Sequence, residues 1–581
     1  MSVHRGASSP PAYLDSVKSE MTAKKSQPEL SDRYYLDNFN CLVDFVFEHY
    51  SHLLNHEETQ FYQHYISLPE NSQRLAIRLL SRSSDYLRTS KIHYDEIVDI
   101  NQALEPLYDA EIIAAASTDD VSDWLSVFTR KELQSCLAVP APTKEFAARL
   151  LTTPDLFGDT PVDTLLDSDQ VIRITGKQWF TTYRLLFFGN LYQDLSAFVL
   201  RDLGVRTFER YSTDTNTLPF KSRSQLDAYL AYYVCIESFE EADAQGPSAL
   251  ITLQEQLPKT DNRDLTLTRR VERFSNKIAR QLERHAAFTD AAEIFARIDR
   301  PPARERLARI KARLGHHVDA YNLCQQIEDA PADAEEKEFA QQFAAKLAPK
   351  VGTEYRAPEK HIPDEIIVTL PPGNLPVEFA AALHFAKFGK CYYVENSLIG
   401  GIFGLAIWDI LFASIPGAFY HPFQNAPADF HESDFYAQRK NLFEQRFDDI
   451  KAGQLRKIVL SNFHHKYGIN NPLVHWGYLN RHLICVAIKH IPVKHWIAYF
   501  EYLLADIRNN RSGLPDLIHF PDDDDYILLE VKGPGDRLQK NQLRWMKHFK
   551  HNGIRHAVVP VRFEDNQCSG QQKAFQGGSA V

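Results

Sequence analysis

Two short runs of apolar residues near the carboxyl end of the chain are separated by a proline and four acidic residues. The runs span residues 514–520 and 526–531, with residues 521–525 between them. This arrangement is typical of a β-hairpin. Successive side chains of a strand point to opposite faces of the sheet, so the residues of the second run divide between two faces. One face carries Tyr526, Leu528, Glu530 and Lys532, and the other carries Ile527, Leu529 and Val531.

Helical periodicity dominates the chain before residue 350. Leu42, Phe45, Val46 and Tyr50, for example, fall on one face of a helix. The patterns predict a multidomain protein, mostly α-helical at first and α/β at its end. We divide it into an unstructured leader at 1–30, a helical region at 31–223, a helical-hairpin region at 224–350, an α/β domain at 351–565 and a flexible tail at 566–581.

The helical-hairpin region contains two segments with the same rhythm of small and aromatic residues. They are LERHAAFTDAAEIFARID, from residue 282, and LGHHVDAYNLCQQIED, from residue 314. The spacing of about 30 residues resembles tetratricopeptide-type hairpins. Such arrays scaffold other elements, so this region offers a surface for a protein partner. We favour a spacer that fixes the angle between the regions on either side.

A basic stripe lies in the first helical region. Arg74, Arg78 and Arg82 recur every fourth residue, and Arg88 and Lys91 follow. Such a stripe suits contact with nucleic-acid phosphates. It is also compatible with a solvated surface, because Glu70 is placed to pair with Arg74, and Asp85 with Arg82. Arg78 has no acidic partner at helical spacing. Residues 121–152 then resemble a SAP-type helix–turn–helix module.

The apolar run from residue 397 to 416 is almost long enough to span a bilayer. It contains Asp409 and lacks basic residues just outside it, so we predict a buried core helix and no membrane contact. The amino terminus shows no secretory pattern.

Net charge and cysteine usage narrow the class of protein. The formal net charge is −11, so contact with nucleic acid requires local basic patches. The seven cysteines are single and form no C-x-x-C pair. We therefore expect neither a zinc site nor a disulfide framework. The cysteine pattern is typical of a protein in a reducing compartment.

The hairpin places candidate chemistry at one strand end. Glu530 and Lys532 leave the second strand side by side, and Asp516 reaches the same point from the first. Carboxylates of this kind bind Mg²⁺ or Mn²⁺ next to a phosphate. We predict that Asp516, Glu530 and the Val531 carbonyl bind the metal. Lys532 would orient or deprotonate the attacking water, or stabilise the transition state. The alternative, a surface salt bridge, is disfavoured by the matching position of Asp516.

The segment after the hairpin predicts a helix with two different faces. Leu538, Gln542, Trp545 and Phe549 form an apolar stripe in which Gln542 is the polar exception. A buried amide needs a partner, for which we expect Lys532 or the attacking water. The opposite stripe carries candidate DNA contacts at Arg537, Lys540, Arg544 and Lys547. Arg508 and Arg511, just before Asp516, are candidates for a phosphate of the cleaved strand or a terminal 5′ phosphate.

A further acid comes from residues 392–412, which we predict to be helical. On such a helix Glu395, Leu398, Ile402 and Asp409 share a face. A carboxylate on an apolar face needs a cation or a hydrogen-bond donor. We expect a metal for Glu395 and a structural partner for Asp409.

The pattern P-D-x(13)-E-x-K at Pro515–Lys532 resembles the PD-(D/E)xK nuclease fold, which is restriction-endonuclease-like. The longer strings GLPDL, LLEVKGPGDRL and QLRW resemble the VRR-NUC type of this fold, found in the Fanconi-associated nuclease family. The family's helix of the kind E-x-S-L-x-G implies that Glu395 is a metal ligand. Its Q-x-x-W pattern matches Gln542 and Trp545, which adds Gln542 to the catalytic residues.

The resemblance implies a structure-selective DNase that binds branched or flapped DNA. It would cut 5′ flaps, degrade 5′ ends in the 5′→3′ direction and act in interstrand-crosslink repair. Eukaryotic members carry a ubiquitin-binding zinc finger, and no Cys/His cluster for one exists here. We therefore expect a bacterial member in the cytoplasm, associated with the nucleoid. The alternatives are a Holliday-junction-resolvase-like nuclease and a non-catalytic repair scaffold.

Overall fold

The computed structural model describes residues 33–117, 120–137, 143–152, 165–166, 169–195, 198, 206–260, 264–358, 361–522 and 525–564. The predicted leader at 1–30 and tail at 566–581 lie outside these ranges. The chain divides into two compact units between Thr207 and Phe208. This division falls ahead of the boundary at residue 223 that the sequence suggested.

The first unit is a helical assembly with a small three-stranded sheet. Its core is aromatic, with Phe39 stacked on Phe180 and Tyr183 packed edge-on against Phe61. Short 3₁₀ turns occupy Ser51–Leu53, Thr89–Lys91 and Leu125–Val127. The helices are α1 Tyr34–Tyr50, α2 His56–Ser67, α3 Glu70–Leu80, α4 Ile100–Asp109, α5 Val121–Trp124, α6 Arg130–Leu137, α7 Lys144–Leu151 and α8 Lys177–Phe188. The strands β1 Tyr86–Arg88, β2 Ile113–Ala115 and β3 Val171–Ile174 form an antiparallel sheet in the order β1-β3-β2.

The second unit begins with helices, as the periodicity predicts. They are α9 Arg223–Glu237, α10 Phe239–Gln245, α11 Pro247–Gln256, α12 Leu265–Arg284, α13 Phe288–Phe295, α14 Ala303–Arg313, α15 His317–Asp329 and α16 Ala334–Val351. Small side chains let the last three helices approach closely, since Ala308, Ala320 and Ala344 are fully buried in one shared cluster.

The C-terminal part of the second unit is α/β, as predicted. Its helices are α17 Val377–Phe385, α18 Ser397–Ala406, α19 Trp408–Leu411, α20 Phe435–Gln438, α21 Lys440–Lys451, α22 Leu455–His465, α23 Arg481–His490, α24 Val493–Ala505, α25 Ile507–Asn510 and α26 Lys540–His551. Its strands are β4 Val368–Leu370, β5 Lys390–Tyr393, β6 Leu517–Phe520, β7 Ile527–Lys532 and β8 His556–Phe563.

These five strands form a mixed sheet in the order β4-β8-β7-β6-β5. The predicted hairpin is confirmed, because β6 and β7 pair antiparallel with Leu517 opposite Leu529. Strand β8 runs parallel to β7. Strand β5 pairs with β6 although the helices α18 to α25 separate them in sequence. The metal-binding candidates thus lie on a short sheet with a long helical insertion.

The two faces of β7 are buried in two different cores, as the alternation predicts. Leu528 and Tyr526 join the core formed with the inserted helices, together with Trp545 and Phe549 of α26. Leu529 and Val531 face the other core, which α17 covers. Both faces of the strand are buried, so its end is held rigidly.

Helix α18 is the buried core helix predicted from the apolar run. All ten of its residues are buried. Among the described residues no helix is long and apolar enough to cross a membrane. The predicted helical position of Glu395 is wrong, however. The helix begins at Ser397, and Glu395 lies in the turn between β5 and α18.

Candidate active site

The hairpin brings Asp516 and Glu530 to one end of the sheet. Asp516 immediately precedes β6, and its Oδ2 accepts a hydrogen bond of 2.9 Å from the Val531 N–H. This contact locks the first carboxylate to the strand that carries the second. Val531 follows Glu530 directly in the chain, so the residue whose carbonyl is a predicted metal ligand is joined to both acids, to one by the chain and to the other by this hydrogen bond.

Glu530 is almost fully buried, with 1% of its surface exposed. Its Oε1 accepts two charged or polar donors, Lys532 Nζ at 2.8 Å and Gln542 Nε2 at 2.5 Å. The predicted partner of Gln542 is therefore corrected, because the amide donates to the carboxylate and not to Lys532 or a water. Glu530 Oε2 is buried without any hydrogen-bond partner.

Glu395 reaches the site through an unusual backbone conformation. Its φ is +34°, in the left-handed region that non-glycine residues rarely adopt. The backbone N–H groups of Val394 and Glu395 both donate to the Asp516 carbonyl, at 2.8 and 3.0 Å. The Tyr393 hydroxyl donates to Glu395 Oε2 at 2.6 Å. Such a strained position persists only where its surroundings fix it, as these three contacts do.

Burial and like charge destabilise the ionised carboxylates of this cluster. Burial raises the pKa of Asp516 to about 6, and the charge of Glu378 adds to the rise. Burial followed by the charge of Asp516 raises the pKa of Glu530 to about 7, although Lys532 acts in the opposite direction. Negative charge from Glu395 contributes to both shifts. The cluster therefore holds more negative charge than its single lysine neutralises.

The donor set fits a hard divalent cation. Carboxylate and carbonyl oxygens are the ligands that Mg²⁺ and Mn²⁺ prefer, and the partnerless Oε2 of Glu530 is a buried acceptor without a donor. Among the described residues, no three His, Cys, Asp or Glu side chains already surround one point.

Sequence reasoning missed two residues of this site. Glu378 lies in the first turn of α17, and its charge raises the pKa of Asp516. Tyr393 holds Glu395 while its ring stacks on Phe379 at 5.0 Å. An apolar helix beginning with a single acid, VEFAAALHF, was the available signal for Glu378. The contact of Tyr393 depends on the turn after β5 and had no signal in the sequence.

Asp409 has the structural partner that was expected. It lies on α19 and is exposed, and both of its carboxylate oxygens accept from Arg446 Nη2, at 2.9 and 2.7 Å. The prediction that it shares a buried apolar face with Glu395 is wrong, because the chain turns between α18 and α19.

Some of the basic residues around α26 have an acidic partner and others are exposed to solvent. Arg544 lies 3.6 Å from Glu338, and Lys540 lies 3.9 Å from Glu335. Arg537 and Lys547 are exposed. Helix α26 begins at Lys540, so the predicted helical positions of Arg537 and Leu538 are wrong.

Arg508 lies on α25, and Arg511 follows directly after this helix. Both residues precede Asp516 in the chain. Arg508 lies 3.5 Å from Glu432, a buried carboxylate that also accepts from Arg300 at 2.9 Å. Arg511 is exposed. The structure therefore gives Arg508 an internal counter-ion and leaves Arg511 on the surface.

In the first unit, the predicted basic stripe is partly neutralised. Arg74 pairs with Glu70 at 2.8 Å, as expected. Arg78 has no acidic partner at helical spacing, but Glu96, 18 positions later, lies at 2.5 Å. The pairing crosses a turn, so helical spacing could not show it.

Among the remaining members of that stripe, one is paired with acidic residues and two are exposed. Arg88 is mostly buried between Glu132 and Asp169, both at 2.7 Å. Arg82 does not pair with Asp85 as expected, since Asp85 binds Lys177 and the Arg82 guanidinium donates to the Tyr94 hydroxyl. Arg82 and Lys91 are exposed. These two are the positions best placed for contact with a ligand.

Comparison with protein families identifies two segments. Residues 450–563 match the VRR-NUC domain, and residues 33–114 match the family described as FAN1, HTH domain. The first segment contains Asp516, Glu530, Lys532 and Gln542. The second covers the basic stripe of the first unit and ends before the SAP-like segment at 121–152.

Relatives match over most of the chain. The Fanconi-associated nuclease 1 homolog of Pseudomonas aeruginosa is 32% identical over 540 residues, covering 91% of this chain and 96% of the relative. The homolog of Arabidopsis thaliana is 25% identical, covering 92% of this chain and 67% of the relative.

A solved structure is similar over nearly the same length. The crystal structure of paFAN1 bound to 5′-flap DNA with a 2-nucleotide flap and a gap has a TM-score of 0.78 and 32% sequence identity. It covers 93% of this chain and 100% of that chain. Sequence and fold agree across both compact units, and the chain belongs to the Fanconi-associated nuclease family.

Proposed function

We propose that this nuclease cuts the phosphodiester backbone of flapped DNA, as a 5′-flap endonuclease and 5′→3′ exonuclease in interstrand-crosslink repair. The single observation that carries the proposal is Glu530, a buried carboxylate with one oxygen held by Lys532 and Gln542 and the other without a partner. The similar paFAN1 structures hold 5′-flap DNA with 1- and 2-nucleotide flaps.

Asp516, Glu530, Glu395 and the Val531 carbonyl would hold Mg²⁺ or Mn²⁺. The cation supplies charge stabilisation at the scissile phosphate and a more acidic water. Glu378 supports the same site by adding negative charge beside Asp516. Tyr393 orients Glu395 through its hydroxyl.

Lys532 and Gln542 would handle the proton and the orientation of the reacting groups. Lys532 Nζ lies 2.8 Å from Glu530 Oε1. The ammonium group would therefore be close to a group bound at that carboxylate. An ammonium at this place stabilises negative charge that develops on the phosphate. Gln542 donates to the same oxygen of Glu530, and its own Oε1 accepts from the Gln539 N–H at 2.8 Å, so the amide orientation is fixed.

The DNA contacts we propose are the basic residues left exposed around this centre and on the first unit. Near the centre they are Arg511, Arg537, Lys540 and Lys547. On the first unit they are Arg82 and Lys91. Arg74, Arg78, Arg88, Arg508 and Arg544 already have acidic partners, so a phosphate would have to displace or share these.

Cleavage of a panel of labelled DNA structures tests the proposal. Single-turnover assays with 5′-flap, 3′-flap and four-way-junction DNA, each with Mg²⁺ and with Mn²⁺, should show preferential cutting of the 5′ flap. Symmetric cutting of the four-way junction would reject it in favour of a resolvase. Asp516→Ala should abolish cleavage and keep flap binding. The matched control is Asp448→Ala on α21, whose carboxylate is 69% exposed.

A further inference from the structure

Helix α12 carries an exposed row of positive charge that the proposed site does not use. Arg273, Lys277, Arg280 and Arg284 are all exposed, while Phe274, Ile278 and Leu282 on the other side are buried. We call these four basic residues the α12 stripe. In a chain with a net charge of −11, four exposed cations in one row are a local reversal of charge.

The spacing of the α12 stripe suits an extended polyanion. Its members follow one another at four, three and four residues. At about 1.5 Å of rise per residue, the stripe covers about 16 Å along the helix axis. One strand of B-DNA presents a phosphate about every 3.4 Å of its axis, so this length matches about five phosphates.

The acids of α12 do not neutralise the stripe, because arginines from other segments bind them. Glu272 lies 3.5 Å from Arg300, and Glu283 lies 3.7 Å from Arg306. Among the described residues, the Arg280 guanidinium has no acid within salt-bridge distance. Arg284 donates to the Gln281 side chain at 2.9 Å, a neutral partner.

Arg273 is paired with Glu432 at 3.5 Å, but the acids near the other three stripe residues are weak competitors for a phosphate. Lys277 lies 3.7 Å from Glu240, whose side chain is 85% exposed. Exposed ion pairs of this kind contribute about 0–1 kcal/mol. Lys277 Nζ also lies 3.6 Å from the centre of the Phe239 ring, which fixes its position at the surface. Asp243 is already engaged by His285 at 2.9 Å.

A groove runs beside the stripe. It has a volume of about 470 Å³, and all four stripe residues line it together with Asn276 and Pro302. Asn276 is 6% exposed, and its buried Oδ1 has no hydrogen-bond partner. The cations of the stripe therefore border one side of the groove, and Glu240 and Asp243 also belong to its lining.

The stripe connects to the nuclease part of the same compact unit. Arg273 and Arg508 both lie 3.5 Å from Glu432 Oε1. Arg508 lies on α25, just ahead of Asp516 in the chain. The stripe therefore leads from the arginines beside the nuclease insertion outward along α12.

We propose that the α12 stripe and its groove bind the phosphate backbone of the substrate DNA, beyond the cleavage centre. This inference rests on the proposed flap-nuclease function and adds a surface to it. The phosphates belong either to the single-stranded flap or to a duplex arm, and both present the same chemistry to the stripe.

The test is a triple substitution, Lys277→Ala, Arg280→Ala and Arg284→Ala, in the full chain. Binding is measured by fluorescence anisotropy in EDTA over a range of salt concentrations, with 5′-flap DNA of short and long flap, flapless duplex and single strand. We expect Kd to rise about tenfold near 0.1 M salt. The salt slope should fall by about 2 to 3, since each lost phosphate contact removes about 0.7 to 0.9.

The DNA panel assigns the source of the phosphates. A defect that grows with flap length places the flap on the stripe, and a defect equal on flapless duplex places a duplex arm there. The matched control is Lys451→Ala, Arg456→Ala and Lys457→Ala, which removes three exposed charges on α21 and α22. Unchanged melting temperature shows that each variant is folded.

An unchanged Kd and salt slope on every DNA, or an equal loss in the control, would overturn the inference. Neither outcome would contradict the proposed function, because flap cleavage by the unsubstituted protein is what tests that function. If that protein neither bound nor cut the flap, the proposed function itself would fail.

Discussion

At the scale of residues, the two oxygens of the Glu530 carboxylate have unequal surroundings. Lys532 and Gln542 hold Glu530 Oε1, and Oε2 lies buried without a donor. Leaving a buried acceptor unsatisfied costs about 1–3 kcal/mol. The protein tolerates this cost at the place where a cation would remove it.

Tyr393 offers a test of how Glu395 is oriented. Tyr393→Phe removes the hydroxyl that donates to Glu395 at 2.6 Å and keeps the stacking on Phe379. We expect flap cleavage to slow about tenfold, from a lost charge-assisted hydrogen bond, and the half-saturating concentration of Mn²⁺ to rise. Flap binding should not change.

The neighbouring tyrosine is the control for this substitution. The Tyr392 hydroxyl lies 3.2 Å from His482 and makes no contact with the acids in the described residues. Tyr392→Phe should leave both cleavage and the metal requirement intact. Equal effects of the two substitutions would contradict the positioning role of Tyr393.

The raised carboxyl pKa values predict the pH dependence of stability without metal. The pKa of Asp516 is raised to about 6 and that of Glu530 to about 7. Between about pH 4 and 7 the folded state then holds more protons than the unfolded state. These two groups therefore lower the free energy of unfolding as the pH rises through that window.

Urea unfolding in EDTA at pH 5, 6, 7 and 8 measures this effect. Glu530→Gln should reduce the loss of stability between pH 5 and 7 relative to the unsubstituted protein. Adding Mn²⁺ should restore stability most at the high end, because metal binding requires the deprotonated acids. A loss that is the same in the variant would rule out Glu530 as its source.

The residues that the sequence predicts best are those fixed by strand spacing. Asp516, Glu530 and Lys532 follow from the hairpin and from alternation, and the structure brings them together. The partners of Gln542 and Arg78 could not be predicted, because Glu530 and Glu96 reach them through tertiary contacts. The apolar neighbours of Glu395 continue the helical periodicity and predict a helix there, although the helix begins two residues later.

At the scale of elements, the site depends on a close approach between α26 and the segment before β6. Gly513 has a φ of +90°, and a Cβ there would lie 2.8 Å from the Asn541 side chain. Trp545 of α26 donates to the carbonyls of Asn510 and Ser512, at 3.0 and 3.2 Å. The helix that carries Gln542 is thereby held against the residues that lead to Asp516.

Gly513→Ala should therefore destabilise the fold and the site together. We expect a loss of about 2 kcal/mol or more, the sum of a left-handed backbone and a steric clash. Gly453→Ala is the control, because its φ is +81° and nothing lies within 4 Å of the added methyl group. It should show the smaller, purely conformational cost, and equal losses by urea denaturation would contradict the close-approach argument.

At the scale of the whole chain, the protein has a negative net charge, but many of its basic residues lie in local clusters. Glu432 is the clearest case, a carboxylate with a side chain only 9% exposed, contacted by Arg300, Arg269 and Arg508, which come from separate segments of the second unit. The negative net charge alone predicted local patches, and their positions emerged only from the fold. Through Glu432, arginines of the helical region and of the nuclease part share a counter-ion.

Glu432→Gln should loosen the second unit. The arginines pull the pKa of Glu432 below its usual value despite burial, so its charge stabilises the fold at neutral pH. Removing one partner of a buried ion pair costs about 3–5 kcal/mol. The control is Glu444→Gln on α21, whose carboxylate is 53% exposed. A thermal transition of the Glu432 variant unchanged from that control would show that the cluster is not structural.

The most direct test of the central claim is single-turnover cleavage of a labelled 5′ flap by Glu530→Gln. The substitution keeps the size of the side chain and removes its charge. We expect a loss of about a thousandfold or more in the cleavage rate with Mg²⁺ or Mn²⁺. We also expect an undiminished affinity for the flap and a cooperative thermal transition, which shows that the variant is folded. Cleavage at the rate of the unsubstituted protein would contradict the claim that this carboxylate is the catalytic centre.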